Sequence, residues 1–117
     1  MITHLLVYGT LMPGRGRWPA LAPWTSSGPV PDSVSGRLFD TGYGWPAAVI
    51  GDGGTIPGFT VPLTSQTLAA ALAALDRIEG TDHGLFQRIS TFSGNRVPVW
   101  VYDWPGPTEQ LVPIDRW

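Results

Sequence analysis

The alternation of apolar and polar positions along the chain predicts several short strands and one principal helix. Apolar and β-branched residues dominate Ile2–Tyr8, a run that ends at Gly9 and predicts a first strand breaking into a loop. Further strands are predicted at 33–40, 47–50, 57–63, 86–92 and 97–104. Pro57 and Pro62 favour an edge position or a strand end for the residues around them. The proline-rich segment 13–32 predicts an ordered loop or a short broken helix, 81–84 a loop, and 105–117 a mostly irregular tail.

The helix is predicted by the segment TSQTLAAALAALDRIEG, which starts at Thr64. At about 100° per residue, Leu72, Leu75 and Glu79 all fall within about 40° of Leu68. Gly80 ends the helix, which places Glu79 in its last turn. The pattern therefore directs a carboxylate toward the apolar face of the helix.

A carboxylate on an apolar face requires an explanation. Burying a charged carboxylate there costs roughly several kcal/mol unless a polar pocket, hydrogen bonds or a raised pKa accommodates it. The negative end of the helix dipole also opposes ionisation, so burial and dipole both raise the pKa of Glu79 toward neutrality. Two interpretations remain open: a catalytic acid/base, or a solvated residue turned outward by a helix that stops one residue earlier or later.

One long helix among about six strands predicts an α+β fold, with a small mixed sheet curled into a barrel and short flanking helices. The 117 residues are sufficient for one domain, 1–117, and the 15 glycines and 12 prolines indicate many turns.

Composition excludes several classes of partner and chemistry. Seven arginines and no lysine stand against nine acidic residues, so nucleic acid is not expected as a partner. Arg15 and Arg17 are the one close basic pair, and we interpret them as part of a solvated loop. No cysteine is present, and His4 and His83 are the only histidines, so no metal or cofactor is predicted.

The N-terminal sequence and the lengths of the apolar runs bear on the localisation of the protein. The N-terminal sequence MITHLLVYG lacks the features of a signal peptide, and no apolar run is long enough to span a bilayer. We therefore expect a cytoplasmic protein, without a membrane partner, that is a monomer or a weak homodimer.

The loop after the first strand is a candidate anion site. A strand that ends in glycine and turns sharply can direct successive backbone N–H groups into one concavity, as expected for Tyr8, Gly9, Thr10 and Leu11. Such a site binds an anion or an oxyanion without a cationic side chain.

The order and spacing of four motifs resemble the γ-glutamylcyclotransferase-like family, also called AIG2-like. The motifs are Tyr8-Gly9-Thr10-Leu11, Gly36-Arg-Leu-Phe-Asp40 with Gly42 and Trp45-Pro46-Ala47, Pro57-Gly58-Phe59, and Leu75-Asp76-Arg77-Ile78-Glu79-Gly80. The resemblance covers nearly all of the chain from Leu5 to Tyr102. It implies a small mixed β-barrel flanked by helices, with a pocket between the YG(S/T)L loop and a glutamate at the end of a helix.

The resemblance also implies residue roles. The loop Tyr8–Leu11 cradles the substrate, and Glu79 is the catalytic acid/base. Phe86 occupies the position where the family commonly has the tyrosine of a Y-x-R element, whose arginine is retained as Arg88. The missing hydroxyl implies that either Tyr8 or Tyr43 supplies a polar contact, or that the substrate differs.

Arg88 itself has two interpretations. It can bind a substrate carboxylate with two hydrogen bonds, or it can pair with Asp76 or Asp82 and stabilise the fold.

The expected function is an enzyme that cyclises γ-glutamyl amines or peptides, releasing 5-oxoproline and an amine, with Glu79 moving the proton and no cofactor. A noncatalytic binding module that uses the same pocket and Glu79 to hold an amine is the alternative. A third possibility is an exposed Glu79 beside a vestigial pocket.

Overall fold

The computed structural model describes residues 1–117 and contains one six-stranded sheet. The strands are β1 (His4–Val7), β2 (Val30–Asp40), β3 (Pro46–Pro62), β4 (Gln87–Phe92), β5 (Pro98–Asp103) and β6 (Val112–Ile114). Their order across the sheet is β4-β5-β1-β3-β2-β6. The β1–β5 pair is parallel and all other pairs are antiparallel, so the sheet is mixed.

The sheet is curled, and hydrogen bonds outside the strand ladders connect β5 with β3 across the curl. The backbone N–H of Trp104, just after β5, donates to the carbonyl oxygen of Ala48 at 2.8 Å. The Asp103 carboxylate accepts from the N–H of Ile50 at 2.9 Å. The end of β5 therefore meets the first half of β3, and the predicted α+β fold with a curled, mixed sheet of six strands is confirmed.

Two helices flank the sheet. Helix α1 (Trp18–Leu21) continues into a 3₁₀ turn at Ala22–Trp24, and helix α2 spans Leu68–Ile78. The first of these lies in the segment for which a short broken helix is predicted. Helix α2 buries the predicted stripe of leucines together with Ala71, and it begins four residues after Thr64 because a 3₁₀ turn, Ser65–Thr67, comes first.

The core has two parts, one on each face of β1. Leu5 and Val7 pack with the helices, whereas Leu6 and Tyr8 pack inside the curl of the sheet. This division follows from the two-residue period of a strand. Gly9 is the second residue after β1, directly beyond Tyr8 of the inner part of the core.

The strands predicted at 47–50 and 57–63 are one strand, which corrects the sequence-based prediction. Ile50 pairs with Gly36 and Thr55 pairs with Ser35, so residues 51–54 leave the ladder as a bulge without ending the strand. Their glycine-rich sequence is typical of a turn. Pro62 ends β3 as predicted, and Pro57 lies beyond the last β1 partner, Phe59, where no ladder N–H is needed on that side.

Two other segments differ from prediction. The tail contains β6, which pairs with Leu38–Asp40 of β2, because three residues suffice to extend an available sheet edge. The loop predicted at 81–84 contains a 3₁₀ turn, Thr81–His83. No helix of the structure has the length and hydropathy needed to cross a membrane.

Candidate functional site

A pocket of about 70 Å³ lies between the loop after β1, the end of α2 and the start of β3. It is lined by Leu6, Val7, Tyr8, Gly9, Thr10, Leu11, Arg17, Trp45, Pro46, Ile78, Glu79, Leu85, Phe86 and Tyr102. The structure thus brings the loop Tyr8–Leu11, Glu79 and Phe86 together in one pocket. Tyr43 and Arg88 do not line the pocket.

The loop after β1 presents backbone donors that the protein does not use. The loop is held by its carbonyl groups: Gly9 accepts from the N–H of Met12 at 3.0 Å, and Thr10 accepts from the N–H of Arg17 at 2.8 Å. The N–H groups of Gly9, Thr10 and Leu11 take part in none of the backbone hydrogen bonds made outside the helices and strands. Backbone donors are rarely left without an acceptor, so these three are available to an anion.

Gly9 is also a packing requirement. A Cβ atom at this position would lie 2.7 Å from Cγ of Pro46, which lines the opposite wall of the pocket. The absence of a side chain therefore lets the loop and the start of β3 approach closely enough to form the pocket.

Glu79 follows directly on the last residue of α2, Ile78, and caps the helix. Its backbone N–H still donates to Leu75 at 2.9 Å, so its side chain continues the helical spiral. Gly80 then adopts a left-handed conformation, φ 71°, which ends the helix. The residue is therefore one position later than the predicted last turn, yet its side chain is partly buried and lines the pocket.

Burial raises the pKa of the Glu79 carboxyl to about 7, and the nearby positive charge of Arg17 opposes the rise. Removing the carboxylate from water disfavours its charged form. At neutral pH the group therefore exists in both protonation states, which is the property required of an acid/base that must take and return one proton.

Arg17, which the sequence pattern predicted to lie in a solvated loop, lines the pocket. Its Nη1 donates to the carbonyl oxygen of Ile78 at 3.1 Å, and it is the one cationic side chain in the lining. Its neighbour Arg15 instead donates from Nη2 to the carbonyl of Trp117 at 3.0 Å. Nothing local in the sequence distinguishes the two, because the contact forms only when 10–17 folds over the end of α2.

A chain of hydrogen bonds behind the pocket uses the tyrosines. The Tyr8 hydroxyl donates to the backbone carbonyl of Tyr102 at 2.7 Å, and the Tyr102 hydroxyl donates to Oδ1 of Asp76 at 2.8 Å. Burial raises the pKa of both phenols, so both remain protonated. Neither hydroxyl has a proton free to donate to a ligand.

Arg88 completes this chain. It pairs with Asp76 through two hydrogen bonds, Nε to Oδ1 at 2.8 Å and Nη2 to Oδ2 at 3.2 Å, and its guanidinium lies 4.4 Å from the ring centre of Trp100. The sequence left two interpretations of Arg88 open, and the structure shows the ion pair with Asp76. Arg88 therefore fixes β4 to α2 and does not reach the pocket.

Phe86 and Tyr43 belong to an aromatic cluster at one wall. Phe86 is buried just before β4, with its ring centre 5.7 Å from that of Trp45 and 5.5 Å from that of Trp104. Tyr43 is 79% exposed and stacks on the outer side of this cluster, 6.0 Å from Trp45. The position vacated by the family tyrosine is thus apolar, and Tyr43 does not replace the missing hydroxyl inside the pocket.

A family model described as gamma-glutamyl cyclotransferase, AIG2-like, matches residues 5–117. The chain belongs to this family. The AIG2-like resemblance read from the four motifs is thereby confirmed, and it extends through the tail to Trp117. No curated protein matches the chain significantly.

Solved structures of other AIG2-like and uncharacterised proteins share the fold. An AIG2-like protein from Mus musculus superposes with a TM-score of 0.80 at 19% identity, covering 99% of this chain and 88% of that one. The uncharacterized protein PH0828 from Pyrococcus horikoshii gives 0.65 at 18% identity, covering 97% and 86%. YkqA from Bacillus subtilis gives 0.72 at 20% identity, covering 97% of this chain but 38% of that one. At these identities the likeness establishes the fold alone.

Proposed function

We propose that this AIG2-like protein is a cyclotransferase that acts on γ-glutamyl amines or peptides and releases 5-oxoproline and a free amine. The observation that carries the proposal is a shared pocket: a partly buried carboxylate with a pKa of about 7 lies in the same cavity as three backbone donors without partners. Family membership supports the reaction type.

The reaction begins at the α-ammonium group of the substrate. The Glu79 carboxylate accepts one proton from it, and the freed amine attacks the γ-carbonyl carbon of the same molecule. A C–N bond forms, the carbonyl oxygen takes up negative charge, and the original amide C–N bond then breaks. Glu79 returns its proton to the departing nitrogen, and the second proton lost by the ring nitrogen also ends on the released amine.

The loop Gly9–Leu11 provides hydrogen-bond donors for the negative charges of the substrate. Its free N–H groups can stabilise the oxygen of the tetrahedral intermediate or hold the α-carboxylate of the substrate. Arg17, exposed at the rim, offers a full positive charge for the same carboxylate. Because the attack is intramolecular, holding the glutamyl chain in a folded shape provides much of the rate enhancement. Proton transfer and ring closure complete the reaction, so the proposal includes no cofactor.

The test is the formation of 5-oxoproline from purified protein. The panel contains γ-glutamyl amino acids, glutathione and amides of the γ-glutamyl-lysine type. We expect turnover by the unmodified protein and a loss of about 10²-fold or more in Glu79→Gln, which keeps the shape and removes the proton acceptor. Thermal unfolding controls for the fold. Undiminished product from a folded Glu79→Gln protein would remove Glu79 from the mechanism.

A noncatalytic binding module is the second candidate, and Phe86 favours it. This side chain places an aromatic ring where the family commonly has a phenol, and it is buried against Trp45 and Trp104 with no polar group of its own. The module predicts no 5-oxoproline from any member of the panel, together with a rise in Tm when a γ-glutamyl ligand is added.

A further inference from the structure

The rim of the pocket carries apolar surface that neither the core nor the proposed proton transfer uses. Leu85 lines the pocket with 39% of its surface exposed, and Trp45 lines it while remaining partly exposed. Tyr43 extends this wall outward by stacking on Trp45, 29° from parallel. We call these three side chains, two aromatic and one aliphatic, the aromatic rim.

The aromatic rim differs from ordinary exposed apolar residues because it is contiguous with the cavity that holds Glu79. Single exposed apolar side chains need no explanation, but grouped ones beside a pocket mark a binding surface. Tyr43 gains little by burying part of one ring face against Trp45 while most of its surface stays in water. A ligand ring that packs against Trp45 at the pocket mouth would also cover exposed surface of Tyr43, which stacks on Trp45.

Charge limits what such a ligand can carry. Arg17 is the one cation in the pocket lining. We assign it to the glutamyl α-carboxylate of the proposed substrate, which leaves the N–H groups of Gly9–Leu11 for the oxygen of the tetrahedral intermediate. Arg88 is committed to Asp76. The pocket lining therefore contains no second cation to pair with a carboxylate on the leaving amine. Burying such a carboxylate against aromatic side chains without a partner would be unfavourable.

We propose that the aromatic rim is the subsite for the leaving amine and that it selects γ-glutamyl amides whose arylalkyl leaving group carries no carboxylate over γ-glutamyl amino acids. The inference rests on the proposed function, and the bond broken is the amide bond between the γ-carbonyl carbon and the arylalkyl nitrogen. The released product is the arylalkyl amine, which carries the protons that the substrate's ammonium group has lost.

Three matched substrates test the subsite: γ-glutamyl-phenethylamide, γ-glutamyl-methylamide and γ-glutamyl-phenylalanine. The first differs from the second by the benzyl group and from the third by one carboxylate. We expect kcat/KM for the phenethylamide to exceed each of the others by about tenfold. Tyr43→Ala is expected to reduce the phenethyl-to-methyl ratio about threefold, and Phe92→Ala, which removes a 69% exposed aromatic outside the rim, leaves that ratio unchanged.

Binding to the Glu79→Gln protein, measured by calorimetry, tests the subsite without turnover. Preference for the phenethylamide there supports the subsite, and equal affinity for the three ligands overturns it. Equal kcat/KM values for the three substrates, with 5-oxoproline formed from each, overturn the subsite and leave the cyclotransferase intact. Phenethylamide preference in binding without any 5-oxoproline from the unmodified protein keeps the subsite and overturns the proposed reaction.

Discussion

Arg17 donates a hydrogen bond of 3.1 Å to the carbonyl oxygen of Ile78, the last helical residue of α2. A cation at this end of a helix satisfies a carbonyl that lacks an intrahelical partner and complements the helix dipole. Because Glu79 is the next residue, the same guanidinium also favours the ionised form of that carboxyl. One contact thus both fixes the end of the helix and moderates the proton affinity of the proposed acid/base.

Arg17→Gln is therefore expected to raise the pKa of Glu79 above about 7. Since the ionised carboxylate is the proton acceptor, the acid limb of the pH profile of kcat/KM moves to higher pH, and activity at pH 7 falls several-fold. The pH–rate profile measures both effects. Arg15→Gln, which removes a neighbouring cation outside the pocket, is the control and keeps the limb in place. An unmoved limb in Arg17→Gln would show that the two side chains do not interact.

Glu79→Gln is expected to stabilise the protein at alkaline pH. The folded-state pKa of about 7 lies above the ordinary value of 4.5, so folding favours the neutral carboxyl. This contribution is fully present below pH 4.5 and is lost as the pH rises through 7. We expect the variant to gain about 1 to 3 kcal/mol relative to the unmodified protein at pH 8 and almost nothing at pH 4.5.

Urea unfolding at the two pH values measures this difference. Glu109→Gln, on an exposed residue of the tail, is the control and changes the free energy of unfolding by less than about 0.5 kcal/mol at both. A constant difference between Glu79→Gln and the unmodified protein across this range would mean that the carboxyl is solvated.

Asp76→Ala is expected to destabilise the fold by about 2 to 4 kcal/mol, because it leaves both the Tyr102 hydroxyl and the Arg88 guanidinium without their acceptor. Tyr102→Phe removes one of these bonds and is expected to cost about 1 kcal/mol. Chemical denaturation measures both, and Asp82→Ala, on a 60% exposed side chain, is the matched control. A loss in Asp76→Ala no larger than that of the control would contradict the network.

Gly9→Ala is expected to lower kcat/KM about tenfold or more, because its methyl group would force Pro46 or the loop to move and displace the free N–H groups. The cost in stability is expected to be about 1 to 3 kcal/mol. Gly16→Ala, in the same loop but with no atom within 4 Å of the added carbon, is the control. Full activity in Gly9→Ala would show that catalysis does not depend on the geometry of this loop.

The sequence predicted those features that depend on local periodicity. The stripe of α2 leucines and the glycine after it define a helix face and a helix end, and together they placed Glu79 within one residue of its position. The tetrapeptide Tyr8–Leu11 could be identified for the same reason, since a strand followed by a glycine turn is a local pattern.

Features that depend on distant partners were missed. Arg17 contacts Ile78 across 61 positions of sequence, and the Tyr8 hydroxyl reaches a carbonyl 94 positions away. The bulge at 51–54 looks like a turn because its glycines resemble turn residues, and only pairing with β2 makes the flanking segments one strand. Strand β6 has no periodic pattern of its own, and its formation depends on the free edge of β2.

The end of α2 is fastened at three places, by Arg17 at Ile78, by Arg88 at Asp76 and by the Thr81 hydroxyl, which donates to the Asp76 carbonyl at 3.2 Å. Helix termini ordinarily fray on fast timescales, and a group carried on a fraying turn samples many orientations. Here deuterium uptake at the Glu79 and Gly80 amides should follow opening of the whole β-sheet rather than local unwinding. The carboxylate is thus preorganised by the fold before any ligand arrives.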